Sequence, residues 1–240
     1  MRRSSVTGPV VVVGDILLDR DVEGLVNRLC PDSPVPVLDE TTYVDRPGGA
    51  GLAAVFAADQ GAEVALVTAL ADDAGGARLT ALLTAAGVQV YALPLAGHPE
   101  KIRLRARGRV LLRHDRGGAA GVPGEPAEAV LRLLAHASAV LVSDYGRGVA
   151  RQPALRAALA ATRAPVVWDP HPRGPSAVPG AHLVTPNEPE ARELTKPAPG
   201  TSRLVSAARA GQALRRRWRA GAVAVTSAAR GAALPPVRHR

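Results

Sequence analysis

The chain has 240 residues, 47% of them hydrophobic and only 2% aromatic, and its formal net charge of +9 is carried almost entirely by arginine. That length supports one sizeable α/β domain with a core of Val, Leu and Ala, and the single cysteine, Cys30, excludes an internal disulfide. No apolar run is long enough to cross a bilayer, and the basic start MRRSSVTGP meets VVVVGD rather than a secretory core, so the expected location is the cytoplasm.

The pattern alternates short β-branched runs with longer Ala/Leu stretches. Residues 10–13 read as a buried strand, 50–60 as a helix, 64–69 as a strand, 75–86 as a helix and 88–93 as extended. Residues 102–114 alternate well enough for a hairpin turning near Gly108. Then come a helix over 125–136, a strand at 139–142, a helix over 153–162, and strands at 165–168 and 182–184. A helix begins at 188, a long basic helix covers 202–219, and one more strand covers 222–226. Strands alternating with helices predict a mostly parallel sheet covered on both faces. Pro31, Pro34 and Pro36 forbid a helix, while Val35, Val37 and Leu38 suit an edge strand. Segments 34–46 and 101–115 together are expected to form a small β lid.

Parallel strands present their carboxyl ends to a ligand crevice, and the polar residues fall there. Gly14-Asp15 follows the first strand, with Asp19 four residues on; Ser143-Asp144 ends another; Asp169 ends a third; Thr185-Pro186-Asn187 ends a fourth, with Glu190 beyond. One such ending is commonplace as a helix cap or turn. Four on one edge suit a polyol site or a hydrated Mg²⁺. Gly48 and Gly49 precede a helix, where backbone N–H groups approach a hydroxyl or anion closely. The glycines form neither a P-loop nor a dinucleotide fingerprint.

These segments resemble the ribokinase-like (PfkB) carbohydrate kinases. The runs VVVGDILLDRDVEG, PVPVLDE, DRPGGAG, VLVSDYGRGV, VVWDPHPRG and GAHLVTPNEPEARELT carry the likeness in order and spacing. GDILLDR, PDSPVPV, SDYGRG and TPNEPE are similar to the kinase part of the bacterial heptose 7-phosphate kinase/adenylyltransferases. The resemblance implies ATP- and Mg²⁺-dependent phosphoryl transfer to a sugar hydroxyl, in that branch the anomeric (C1) hydroxyl of a heptose 7-phosphate. It implies substrate contacts at Asp15, Asp19, Gly48, Gly49 and Asp144, with Arg103 and Arg105 on the lid facing the 7-phosphate. It implies nucleotide contacts at Asn187, Thr226 and Gly231, and ordering of the hydrated Mg²⁺ by Glu190.

The sequence departs from the family in four places. Leu52 stands where the family has a sugar-contacting Asn, Ala228 replaces the middle Gly of the nucleotide turn, His171 replaces a Lys, and Arg147 replaces another Lys with charge kept. The family's Gly-Ala-Gly-Asp, which supplies the anion hole and the catalytic base, does not occur. The sequence-level expectation is therefore a single, C-terminally truncated kinase domain over 1–240, with activity weakened or lost and no catalytic residue assigned. Its partners would be a sugar phosphate and a second copy of the chain or a complementing C-terminal fragment. Two alternatives stand beside it: a non-catalytic binding remnant, and a nucleic-acid binder using Arg215, Arg216 and Arg217.

Overall fold

The computed structural model describes residues 8–117, 121–196 and 202–235. In chain order the elements are β1 (Val10–Gly14), β2 (Ile16–Cys30), β3 (Ser33–Gly49), α1 (Ala50–Asp59), β4 (Val64–Ala71), α2 (Ala74–Ala85), β5 (Val88–Leu95), β6 (Glu100–Ala106) and β7 (Arg109–Arg116). There follow α3 (Glu128–Ala135), β8 (Ala139–Ser143), α4 (Pro153–Ala161), β9 (Val166–Asp169), β10 (Leu183–Val184), α5 (Glu188–Thr195), α6 (Arg203–Trp218), β11 (Ala222–Val223), β12 (Val225–Thr226) and β13 (Ala232–Ala233).

The main layer is a sheet in the order β11-β10-β9-β8-β1-β4-β5, with every pairing parallel. Period-2 alternation sends Val11 and Val13 to one face and Val12 to the other. The first face packs on α3, α4, α5 and α6 through Leu134, Leu155, Ala191 and Leu214, and the second packs on α1 and α2 through Ala54, Leu79 and Leu83. Alanines let α1 lie close to the sheet. The two tryptophans, Trp168 and Trp218, are both buried in the first cluster. This is the mostly parallel α/β architecture that the sequence predicts.

A second sheet, ordered β3-β2-β6-β7, stands off the main layer. It is larger than the expected lid, because β2 runs for 15 residues through a segment that the sequence does not mark as a strand. β3 carries Pro34, Pro36 and Pro47 and is an outer strand, where a missing N–H leaves no ladder bond broken. The β6–β7 hairpin turns on Arg107 and Gly108, both at positive φ, which is the primed turn whose twist matches its strands. Arg20 and Arg78 both bond Asp45, tying the base of this sheet to α2.

Two elements differ from the sequence reading. The helix expected over 125–136 begins only at Glu128, with Pro126 biasing the residue before it away from helix. The strand expected over 222–226 divides at Ala224. β11 stays in the main sheet, whereas β12 pairs with β13 in an antiparallel ribbon. Among the described residues no helix is long and apolar enough to cross a membrane.

Candidate functional site

The four strands whose ends carry an acid or amide are neighbours, in the order β10-β9-β8-β1. The sheet order also reverses at β1: the chain adds β4 and β5 on one side and later β8 to β11 on the other. Such a switch point opens a crevice beyond the strand ends. Asp15, Asp144, Asp169 and Thr185 therefore line one rim.

Asp15 is 3% exposed, and its carboxylate accepts backbone N–H bonds from Tyr145, Arg147 and Val149, each at 3.0 Å. Its carboxylate holds the loop after β8. These three bonds occupy three of its roughly four acceptor sites, beside the substrate contact expected of it. Gly49, at φ 63 and ψ −135, starts α1 beside it; a Cβ there would lie 2.4 Å from the Asp15 carbonyl oxygen.

Asp144 is also 3% exposed. One carboxylate oxygen accepts the Gly146 N–H at 2.8 Å, and the other has no partner. Burial pushes its pKa up to about 6, with the charges of Asp15 and Asp169 adding to the effect. Gly174 covers the free oxygen so closely that a Cβ would overlap it. Asp144 thus lies on the rim beneath the 171–174 loop, which covers it. Asp169 accepts the Thr185 hydroxyl at 3.1 Å, and burial raises its pKa as well.

Asn187 and Glu190 form a reciprocal capping box on α5. The Asn187 side chain accepts from the Glu190 N–H at 2.9 Å, and Glu190 accepts from the Asn187 N–H at 2.8 Å. One Glu190 oxygen is so employed, and burial raises this carboxyl above its usual range, with Asp169 opposing its charge. Thr226 bridges to Asn187, and its N–H bonds the Pro186 carbonyl at 2.9 Å, so the expected nucleotide turn lies against the α5 cap. Gly231 sits at φ 88 and ends this turn. Ala228, in the place expected for glycine, adopts φ 49, a left-handed conformation that an alanine takes at a cost of about 1 kcal/mol.

Between these groups lies an open hollow of about 420 Å³ lined by Gly49, Leu52, Tyr145, Asp169, Thr185 and Thr226, among others. Tyr145 is a contact the motif reading omitted. Its position directly after the Ser143-Asp144 strand end was the available signal. Leu52 presents an apolar wall to this hollow, at the position where the resemblance puts a sugar-contacting Asn in the family.

The second sheet brings the remaining residues over the rim. Asp19, Asp21 and Glu23 alternate along one face of β2, beside Lys101, Arg103 and Arg105 on β6. Arg103 bonds Asp19 at 2.8 Å; Arg105 lies 3.4 Å from Glu23 and 3.7 Å from Asp21; Arg46 lies 2.6 Å from Asp21. Gly48 leaves room for Asp19, whose carboxylate would meet a Cβ there at 2.5 Å. Arg103 and Arg105 are therefore already paired.

Among the described residues no three His, Cys, Asp or Glu side chains converge as a metal cage. Asp169 and Glu190 provide two hard carboxylates that oppose each other's charge. That donor set suits a Mg²⁺ that keeps most of its water and arrives on phosphates. The basic helix gives no support to nucleic-acid binding. Arg215 bonds the Gly221 carbonyl in the turn after α6, and Arg217 bonds the Leu194 carbonyl at the end of α5.

A parallel sheet with a polar switch-point crevice and a second sheet above it defines a carbohydrate-kinase fold, and the sequence profile of pfkB family carbohydrate kinases matches residues 8–235. The chain belongs to that family. It is 50% identical over 236 residues to the bifunctional protein HldE of Streptomyces coelicolor, covering 96% of this chain and 49% of that protein. It is 35% identical over 239 residues to HldE of Pseudomonas aeruginosa PAO1, covering 96% and 48%. The chain thus spans about half the length of the curated relatives it matches. Among solved structures, phosphofructokinase-2 from Escherichia coli in complex with substrates and products superposes with a TM-score of 0.68 at 15% identity, covering 97% of this chain and 77% of that one. Arabidopsis thaliana ribokinase complexed with ribose and ATP superposes with a TM-score of 0.63 at 19% identity, covering 97% and 76%. Both show the shared fold.

Proposed function

We propose that this chain binds Mg²⁺–ATP and a heptose 7-phosphate across the carboxyl edge of its main sheet, as the kinase part of an enzyme that phosphorylates the sugar's C1 hydroxyl. The observation that carries the reading is the adjacency of four polar strand ends beneath a charged second sheet. In this reading Asp19 accepts from sugar hydroxyls, and the Gly48-Gly49 backbone approaches the ring. Asp15 and Asp144 act from below by shaping the loops that touch it. Thr226 and Gly231 take the nucleotide, with Asn187 positioning them through the α5 cap. Glu190, with Asp169, orders water on the metal, which supplies charge neutralisation for the transferring γ-phosphoryl group. The second sheet serves as the lid, and exposed Leu25, Leu29 and Val35 on its β2–β3 end give a second copy of the chain an apolar surface. The location in this reading is the cytoplasm, where ATP is available.

The family's Gly-Ala-Gly-Asp base is absent from these 240 residues, so the reading assigns binding to this chain and leaves turnover to be measured. Isothermal titration with Mg²⁺–ATP and with D-glycero-D-manno-heptose 7-phosphate is expected to give saturable binding of each. A protein that binds neither overturns the reading. Phosphorus NMR of the mixed substrates then distinguishes an active kinase, which produces ADP and a sugar 1,7-bisphosphate, from a binding remnant.

A further inference from the structure

The second sheet joins the main layer at two roots. β2 and β3 leave and return between Asp15 and Ala50, whose backbones are bonded at 3.0 Å. β6 and β7 spring from the segment around His98. There the Leu18 N–H donates to the Pro99 carbonyl at 3.0 Å, at the start of the β2–β6 pairing. The chain leaving β7 passes equally close, since a Cβ on Gly117 would lie 2.2 Å from the His98 carbonyl oxygen. Asp73 fastens this root to the start of α2. One of its oxygens caps the Gly76 N–H at 2.8 Å, and the other accepts the His98 N–H at 2.9 Å.

The His98 ring is packed into that junction. It is 6% exposed, and neither ring nitrogen has a hydrogen-bond partner among the described residues. A Cβ on Gly75, in the first turn of α2, would meet the His98 Cβ at 3.2 Å and carboxylate oxygens of Asp73 and Glu100 at 3.4 Å each. Both acids are already engaged, Asp73 by the two amides and Glu100 by Arg116 of β7. From the loop after β8, Arg147 adds a weaker repulsion to any charge on the ring. Burial holds the imidazole below its ordinary value of 6.5, against the pull of Asp73 and Glu100. A neutral imidazole has one donor and one acceptor to satisfy, and an imidazolium carries a charge as well. Burying the charged form without a partner costs far more than burying the neutral one. The ring therefore takes up a proton when the root parts and water reaches it.

We propose that His98 is an acid-sensitive catch at the root of the lid, holding β6 and β7 against the start of α2 while its imidazole is neutral and releasing them when it is protonated. Once released, β6 carries Arg103 away from Asp19, and the crevice loses part of its roof. The catch acts on the lid whatever ligand the crevice takes. The open root binds more protons than the closed one, so closure is fully supported above about pH 6.5 and is lost as pH falls below it.

The test is amide hydrogen exchange on the full chain at pH 7.5 and 5.5, corrected for the intrinsic effect of pH and read at Leu18 and His98. An exposed imidazole is about one-tenth charged at the first pH and about nine-tenths charged at the second, so opening of the root is expected to rise several-fold, up to about tenfold. Val12 and Leu66, in the middle of the main sheet, are expected to stay more strongly protected at both pH values, which marks the opening as local. His98→Gln takes up no proton, and its root is expected to open alike at the two pH values to within about twofold, with a melting curve to confirm folding. NMR titration of the wild-type His98 ring gives an independent reading, with a midpoint expected below about 6.5. A root that opens equally at both pH values in the wild type overturns the proposal. So does a rise that persists in His98→Gln, a root that exchanges only together with the core, or a ring midpoint at or above about 6.5.

Discussion

The rim of the main sheet and the face of the lid are both rich in carboxylates, but they use them in opposite ways. On the rim, Asp15 and Asp144 are each 3% exposed and bond backbone amides. On the lid, Asp19, Asp21 and Glu23 meet arginine side chains, part-buried at Asp19 and more open at Arg46 and Glu23. A buried carboxylate holding N–H groups fixes a loop and resists removal. An exposed ion pair contributes little to stability and is screened by salt. The rim is therefore preset, whereas the lid's charges remain available for exchange with a ligand.

Asp15→Ala tests this contrast most severely. It strands three amides of the 145–149 loop, that of Val149 buried and the other two part-buried, and a loss of about 2–4 kcal/mol is expected in urea titration. Asp19→Ala is expected to lower stability by less than about 1 kcal/mol while removing sugar binding. Equal destabilisation by the two substitutions would break the distinction.

Asp144 gives the next largest effect, and its sign follows from linkage. Its pKa is pushed up to about 6 from the model-compound value of 3.8, so between those pH values the folded chain binds more protons than the unfolded one. Stability must then fall as pH rises through this window, by an amount on the order of 3 kcal/mol at most. Asp144→Asn is expected to be near neutral at pH 4 and stabilising by about 1–3 kcal/mol at pH 8. Urea titrations at the two pH values measure the difference, and a pH-independent effect would show that the buried charge is compensated. The smallest effect is expected from Arg46→Ala, which breaks the exposed pair with Asp21. Its loss of under about 1 kcal/mol should shrink further in 1 M salt.

Much of the rim was legible in the sequence. Short β-branched runs marked β1, β8, β9 and β10, and the polar residue after each marked the edge. Their adjacency follows from parallel topology. What could not be read was the identity of each partner. Asp15 and the amides it holds lie 130 to 134 positions apart, and no local pattern announces that contact. Asn187 and Glu190 satisfy the spacing of both a family motif and a capping box, and only the hydrogen bonds show that the cap is made. β2 escaped notice because Asp19, Asp21 and Glu23 interrupt its apolar alternation. Their pairing with β6 is what makes that face tolerable. The lone thiol of Cys30 is half-buried at the end of β2.

The parallel pairing of β2 with β6 also bears on how the chain assembles. Arg103 reaches Asp19 across 84 positions of sequence, and β1, α1, β4, α2 and β5 all lie in or beside that loop. Closing so long a loop is entropically unfavourable until the intervening βα units have shortened it by packing. The main layer should therefore condense early and the roof over the crevice should form late, with its strand edges exposed in the interval.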